Sequence, residues 1–266
     1  MTLKELSNIL KEAGVEDSRF DAMQLICHFE KVSTAVAMTG DFSSTELLSA
    51  AERRAQGEPL QYIIGEWDFM GYTFRVNKNC LIPRFDTEVL CSFLTENLPE
   101  NGRFADLCTG SGCIAIATLK LRQDATASAV ELYPETVEIA KENAEELGVS
   151  DRLEIITADV TEDVLTGTYD IIVSNPPYVT TDEMKSLSRE VMHEPTHALT
   201  DGGDGLSIIR KIIEIYPHHL APNGILAIEI GAFQGVAVRE IAEENGLSCT
   251  LLRDSGDRDR VAVMKK

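Results

Sequence analysis

The 266-residue sequence has no apolar run of the roughly eighteen residues that a membrane-spanning helix needs, so a helical span is excluded. Its six cysteines, at positions 27, 80, 91, 108, 113 and 249, include no C-x-x-C pair. The scattered thiols read as reduced packing residues of a cytoplasmic protein. The first stretch, MTLKELSNILKEAG, is amphipathic and lacks the apolar centre of a signal peptide. Basic residues are scarce: 24 Lys and Arg stand against 44 Asp and Glu, a formal charge of -20. Broad adhesion to DNA or RNA, which needs clustered cations for the phosphates, is therefore not expected. No internal repeat or low-complexity tract occurs. What is present is 44% hydrophobic residues, enough for a sizeable core in one large domain or two smaller ones.

The first sixty residues read as a small helical bundle. Leu3, Leu6, Ile9, Leu10 and Ala13 recur at helical spacing before Gly14. Asp17 can cap a second helix, and Ser43 or Ser44 a third that ends at Gly57 and Pro59. Residues 60 to 83 are rich in β-formers, from Tyr62, Ile63 and Ile64 to Phe74 and Val76, and predict a hairpin turning at Gly71. Trp67 and its aromatic neighbours read as hairpin core rather than a base-stacking platform. Beyond residue 90, strands alternate with helices. The strands are expected at Arg103–Leu107, Ala127–Val130, Leu153–Ile156, Tyr169–Ser174 and Gly224–Ile230, with two more near Ser248–Leu252 and Val261–Met264. The alternation predicts an α/β fold, a doubly wound and mostly parallel sheet with helices on both faces.

Three features fall on the carboxyl edge of that sheet, where open α/β sheets bind ligands. The first is the loop Asp106-Leu107-Cys108-Thr109-Gly110-Ser111-Gly112, which ends a strand and opens a helix. Its glycines let backbone approach a ligand, and the helix start offers free N–H groups. The second is Glu131, an acid at the end of the next strand that can accept ribose hydroxyls; Asp159 and Val160, after the third strand, are placed to face an adenine. The third is Asn175-Pro176-Pro177-Tyr178, following the buried run Ile171-Ile172-Val173. The prolines remove two backbone donors, so carbonyl oxygens stand there without competing N–H groups. Asn175 adds a side-chain oxygen and Tyr178 a flat ring. Such a site suits a planar NH₂ group, either a carboxamide or the exocyclic amine of a base.

These motifs together resemble the class I S-adenosylmethionine-dependent methyltransferases, and more narrowly the release factor glutamine methyltransferases. The likeness spans nearly the whole chain: a helical N-terminal domain, Pro59-Leu-Gln-Tyr-Ile-Ile-Gly65, Leu81-Ile-Pro-Arg-Phe-Asp-Thr-Glu88, the glycine loop, Asn175-Pro-Pro-Tyr178, Glu194-Pro195 and Glu229-Ile-Gly231. Two departures are visible. Cys108 replaces the first glycine of the family's Asp-Leu-Gly-Thr-Gly loop, which requires an ordinary backbone conformation at that residue. Glu131 stands where Asp is common.

The resemblance implies a Rossmann-like methyltransferase domain over 84–266, a substrate-recognising helical domain over 1–59 and a hairpin linker over 60–83. It implies S-adenosylmethionine as cofactor, bound by Asp106, Cys108, Thr109, Gly110, Ser111, Gly112, Glu131, Asp159, Val160 and Asn175. The implied reaction is methyl transfer to the glutamine amide in the Gly-Gly-Gln loop of peptide chain release factors, by a monomeric cytoplasmic enzyme. Asn175 and the Pro176 carbonyl would accept the two amide hydrogens, Pro177 would stiffen the turn, and Tyr178 would pack on the substrate. The alternatives are a ribosomal protein glutamine, or the exocyclic amine of adenine in nucleic acid. His193-Glu194-Pro195-Thr196-His197 matches the H-E-x-x-H zinc pattern, but Pro195 would break the helix that the pattern requires, so no metal is expected. Arg84 and Glu88 read either as an exposed pair or as organisers of the junction before the catalytic domain.

Overall fold

Thr2 and Glu5 start the first helix, α1 (Leu3–Glu12), through a reciprocal cap: the Thr2 hydroxyl accepts the Glu5 N–H, and the Glu5 carboxylate takes the Thr2 N–H at 2.7 Å. The structure, a computed structural model, describes all residues from Met1 to Lys266. Leu3, Leu6 and Leu10 face inward, while Ile9 lies beside that stripe and is 47% exposed. α2 (Ser18–Glu30), α3 (Thr34–Ala37), α4 (Thr45–Ala55) and α5 (Leu60–Ile64) share with α1 a core that includes Leu25, Ile26 and Leu47. Ser44 caps α4 by accepting the Leu47 N–H at 3.2 Å, whereas the Asp17 side chain makes no capping bond to α2. Inside the bundle Arg54 donates to Asp21 at 2.6 Å and also pairs with Glu190.

These helices form one unit, Met1–Trp67 with Ser188–His193; Asp68–Leu187 and Glu194–Lys266 form the other. Tyr62, Ile63 and Ile64, expected in the hairpin, lie instead in α5. Pro59 stands at its start, Gly65 closes it, and its buried Leu60 and Ile63 join the bundle core. Burial there outweighs the β preference of the side chains. The hairpin itself is shorter, β1 (Glu66–Phe69) and β2 (Tyr72–Arg75). Met70 and Gly71 both have positive φ, the pattern of a tight hairpin turn.

The second unit is built on one seven-stranded sheet. After α6 (Glu88–Asn97) come β3 (Arg103–Leu107), α7 (Cys113–Leu121), β4 (Thr126–Glu131), α8 (Pro134–Glu146), β5 (Leu153–Thr157) and β6 (Tyr169–Ser174). The short helices α9 (Thr181–Met184) and α10 (Thr196–Leu199) precede α11 (Ser207–Ile215), β7 (Leu220–Glu229), α12 (Gly235–Glu244), β8 (Ser248–Arg253) and β9 (Asp259–Lys265). The strand order is β5-β4-β3-β6-β7-β9-β8. Strands β5 to β7 run parallel, and β9 is antiparallel to both β7 and β8. β7 starts four residues earlier than expected, where its register against β6 shifts between Tyr169 and Ile171. One face of the sheet packs with α6 and α7, the other with α11 and α12, giving two apolar layers. Every residue of α7 from Cys113 to Leu119 is buried, which accounts for a sequence that is apolar there except for Thr118.

Candidate active site

The strand order reverses between β3 and β6, and this switch point opens a crevice at their carboxyl ends. The Ser174 hydroxyl ties the two strand ends together by donating to the Leu107 carbonyl at 2.8 Å. A cavity of ≈ 280 Å³ lies there. Of the residues singled out in the sequence, Cys108, Thr109, Gly110, Ser111, Glu131, Asp159, Val160, Asn175 and Pro177 form its wall. Asp106, Gly112, Pro176 and Tyr178 do not. Asp106 is fully buried beneath the loop, where it accepts the Thr109 hydroxyl at 2.6 Å. Burial pushes its carboxyl up to about 7, and its Oδ1 has no partner.

The wall suits a nucleoside-bearing cofactor. Gly110 has φ +57, and a Cβ added there would meet nothing within 4 Å, so that face of the backbone is open to a ligand. The Glu131 carboxylate is preset by three backbone donors, from Gly110 at 3.0 Å, Leu132 at 2.9 Å and Tyr133 at 3.1 Å. A carboxylate has about four lone-pair positions, so acceptor capacity is left for a hydroxyl. Burial raises the Glu131 pKa against those three bonds. Ser111 Oγ is buried in the wall with no partner, a polar atom awaiting one. Asp159 is exposed, with Oδ1 held by the Thr161 N–H at 2.9 Å, and Val160 is buried beside it.

Cys108 does not keep the ordinary backbone conformation expected of it. Its φ is +61, in the left-handed region, so this cysteine occupies a glycine's conformation. Such a conformation costs an L-residue about 1–2 kcal/mol. Burial drives the thiol pKa far up, which leaves the sulfur inert. The tight strand-to-helix turn holds the residue there despite the strain. Cys108→Gly is therefore expected to raise unfolding stability by about 1 kcal/mol, read from the denaturant midpoint at constant slope. A lower midpoint would show that sulfur packing outweighs the backbone term.

Across the crevice, Asn175 donates its Nδ2 hydrogen to Thr87 Oγ1 at 3.2 Å, and its Oδ1 has no protein partner. Tyr178 is turned away from the cavity. Its hydroxyl donates to Glu229 Oε1 at 3.0 Å, and its carbonyl accepts from Gln234 Nε2 at 3.0 Å. Through its hydroxyl and its carbonyl, Tyr178 braces the turn. Glu229 is fully buried, its carboxyl is pushed up to about 7 by burial, and its Oε2 has no hydrogen-bond partner.

Two residues of this wall were not placed in the cavity by the sequence, which offered only a junction or surface-pair role for Arg84 and a helix cap for Thr87. Arg84 and Thr87 line the cavity, and Thr87 is only 2% exposed. Arg84 pairs with buried Glu194, whose Oε2 also accepts the Ile82 N–H at 3.0 Å. Glu88 accepts the Met70 N–H at 3.0 Å, so Arg84 and Glu88 serve different partners instead of each other. The available signal was the clustering of Ile82-Pro-Arg-Phe-Asp-Thr-Glu88, Glu194-Pro195 and Glu229 as motifs. The H-E-x-x-H segment is not one helix: a 3₁₀ turn ends at His193, and α10 starts after Pro195. His197 stacks on Tyr133 at the cavity wall, with ring centroids 3.6 Å apart. Away from the cavity, in the turn just before β7, His219 and His218 approach Asp163 at 2.6 and 3.1 Å.

A parallel-to-antiparallel sheet in this strand order, with a glycine loop, an acid and Asn-Pro-Pro-Tyr at its switch point, defines a class I methyltransferase, the class that takes its methyl group from S-adenosylmethionine. The methyltransferase small domain family matches residues 84–223, and the PrmC N-terminal domain family matches residues 2–65. A release factor glutamine methyltransferase from Cereibacter sphaeroides is 40% identical over 266 aligned positions, covering 95% of this chain and 92% of that protein. One from Neisseria gonorrhoeae is 41% identical over 218, covering 81% and 79%. Among solved structures, a methyltransferase from Pyrococcus furiosus shares the fold, with a TM-score of 0.55, 19% identity, and coverage of 72% of this chain and 86% of that one. The chain belongs to the release factor glutamine methyltransferase family.

Proposed function

We propose that this protein transfers a methyl group from S-adenosylmethionine to the side-chain amide nitrogen of the glutamine in the Gly-Gly-Gln loop of peptide chain release factors. The observation that carries the reading is the state of Asn175. Its nitrogen end is occupied by Thr87, and its oxygen end is free at the cavity wall. A free acceptor beside a proline-flanked turn is what a carboxamide NH₂ would seek.

Thr109, Gly110, Ser111, Glu131, Asp159 and Val160 would hold the cofactor. Asp106 and Gly112 act from behind the wall, Asp106 by fixing Thr109. The bound cofactor supplies an electrophilic methyl on a sulfonium centre. An amide nitrogen is a poor nucleophile because its lone pair is shared with the carbonyl. Asn175 Oδ1 accepts one amide hydrogen; the other is assigned to the Pro176 carbonyl, although Pro176 itself is not part of the cavity wall. Both contacts favour the positive charge that grows on nitrogen as the methyl arrives. Pro176 and Pro177 keep the turn rigid, so positioning supplies much of the rate. No strong base is needed before transfer, because the surplus proton leaves afterwards.

The helical unit, whose PrmC N-terminal domain family match covers residues 2–65, serves substrate recognition. The enzyme is assigned here as a cytoplasmic monomer. A charge of -20 supports a protein substrate over a nucleic acid. The test is label transfer from methyl-tritiated S-adenosylmethionine to purified release factor, to release factor with that glutamine replaced, to ribosomal proteins and to RNA or DNA. Label should enter only intact release factor. Label in nucleic acid or in the glutamine-less factor would overturn the assignment.

A further inference from the structure

We infer that Thr87 is a positioning residue for methyl transfer, and that Glu229 behind it sets the direction of the hydrogen-bond relay that turns the Asn175 oxygen toward the substrate. The inference rests on the glutamine-amide reading above. It concerns Thr87, on the cavity wall beside Asn175, and Glu229, fully buried behind it.

An asparagine amide has a donor end and an acceptor end of nearly equal shape. Reversed, Asn175 would offer N–H to the substrate's own N–H hydrogens and the site would fail. The direction is set by what Asn175 meets on its other side, which is Thr87 Oγ1, 3.2 Å from Nδ2. A hydroxyl can accept or donate, so Thr87 alone leaves the direction open. Glu229 resolves it. Its ionised carboxylate only accepts, its Oε1 is taken by the Tyr178 hydroxyl, and its Oε2 is bare. Thr87 is the largest neighbouring influence that favours the ionised form of Glu229. Oε2 carries no hydrogen bond in this structure, and the Thr87 hydroxyl, which acts on Glu229 to favour its ionised form, is the donor we assign to it. With that proton directed to Glu229, Thr87 presents only lone pairs to Asn175, and Oδ1 must face the cavity. Thr87 is fixed by its backbone N–H, which donates to the Arg84 carbonyl at 3.1 Å at the start of α6.

The relay has a pH signature. The groups facing Glu229 are Thr87 and Asp86 before α6, Tyr178 after β6, and Arg260 on β9. Burial and Asp86 favour its neutral form, while Thr87, Tyr178 and Arg260 favour the ionised form; the balance stands at about 7. Below that pH a protonated Glu229 can itself donate to Thr87, releasing the Thr87 hydrogen toward Asn175 Oδ1. Turnover should therefore rise as pH passes upward through about 7.

The experiment compares wild type, Thr87→Val, Thr87→Ser and Glu229→Gln on intact release factor. Thr87→Val should lower kcat by about 10–100-fold with the KM for S-adenosylmethionine within about twofold, and Thr87→Ser should restore most of it. Glu229→Gln should lower kcat and abolish its rise near neutrality. Thr87→Val with unchanged kcat would overturn the inference, as would a serine variant as slow as the valine one or a Glu229→Gln profile that still rises. A second readout needs no substrate: the Asn175 side-chain NH₂ resonances, assigned by their loss in Asn175→Ala. They should shift in Thr87→Val and return in Thr87→Ser; unmoved resonances overturn the relay. If wild type leaves release factor unmethylated while these resonances behave as stated, the proposed substrate fails and the relay stands.

Discussion

Asn175→Ala should reduce methyl transfer to release factor by about a thousandfold or more while S-adenosylmethionine still binds within a fewfold of wild type. Removing one preorganised hydrogen-bonding group aimed at developing charge costs about 10²–10³ in kcat. Asn175 is asked for more than that. In the proposed mechanism its oxygen both polarises the amide and fixes the nitrogen lone pair in line with the methyl, so its loss also forfeits orientation. The cofactor-facing wall is built largely from other residues: the Gly110 turn, Glu131 with its three backbone donors, and Asp159 with Val160. Calorimetric titration with S-adenosylmethionine reads the first half of the expectation, and single-turnover transfer reads the second. Near-normal transfer by the variant would remove Asn175 from the chemistry. Loss of cofactor binding would move it from substrate to cofactor.

Gly205→Ala should damage both the fold and the turn. A Cβ at Gly205 would lie 2.0 Å from the Tyr178 carbonyl oxygen and 2.8 Å from Gln234 Nε2, and φ there is +72. The first neighbour is backbone and cannot swing aside. Left-handed strain of about 1–2 kcal/mol adds to an overpacking cost of about 1–3 kcal/mol, giving about 3 kcal/mol in all. In a domain of this size that lowers the melting temperature by roughly 6–12 °C. The displacement falls on the last residue of Asn-Pro-Pro-Tyr, which Gln234 otherwise holds by its carbonyl at 3.0 Å. The surviving folded fraction should therefore show a lower kcat, with cofactor affinity little changed. A variant of wild-type stability and rate would mean that the turn is looser than its contacts describe.

Much of the sheet was legible from the sequence because buried parallel strands are short apolar runs between turn residues. β3 and β6 fall on the expected ranges, and their carboxyl ends carry the two motifs. α5 was not legible: Tyr62-Ile63-Ile64 reads as strand by side chain, and only its burial in the bundle makes it a helix. The return of Ser188–His193 to the first unit was hidden for the same reason, since nothing local records a contact made far along the chain. Cys108 was misleading in a different way. Replacing glycine by cysteine erased the usual sign of a left-handed residue while the turn kept the conformation. Asn175 was visible as a chemical group, but its direction was not. Thr87, which sets it, lies 88 positions earlier, and Glu229 lies beyond both. Sequence motifs named these residues, and only folding placed their donors against their acceptors.

The most direct measurement is fragment mass spectrometry of release factor after incubation with the protein and S-adenosylmethionine. One added methyl on the side-chain nitrogen of the Gly-Gly-Gln glutamine is the predicted result. An unmodified glutamine, or a methyl borne on another residue, would contradict the proposal that the site holds a flat carboxamide against Asn175.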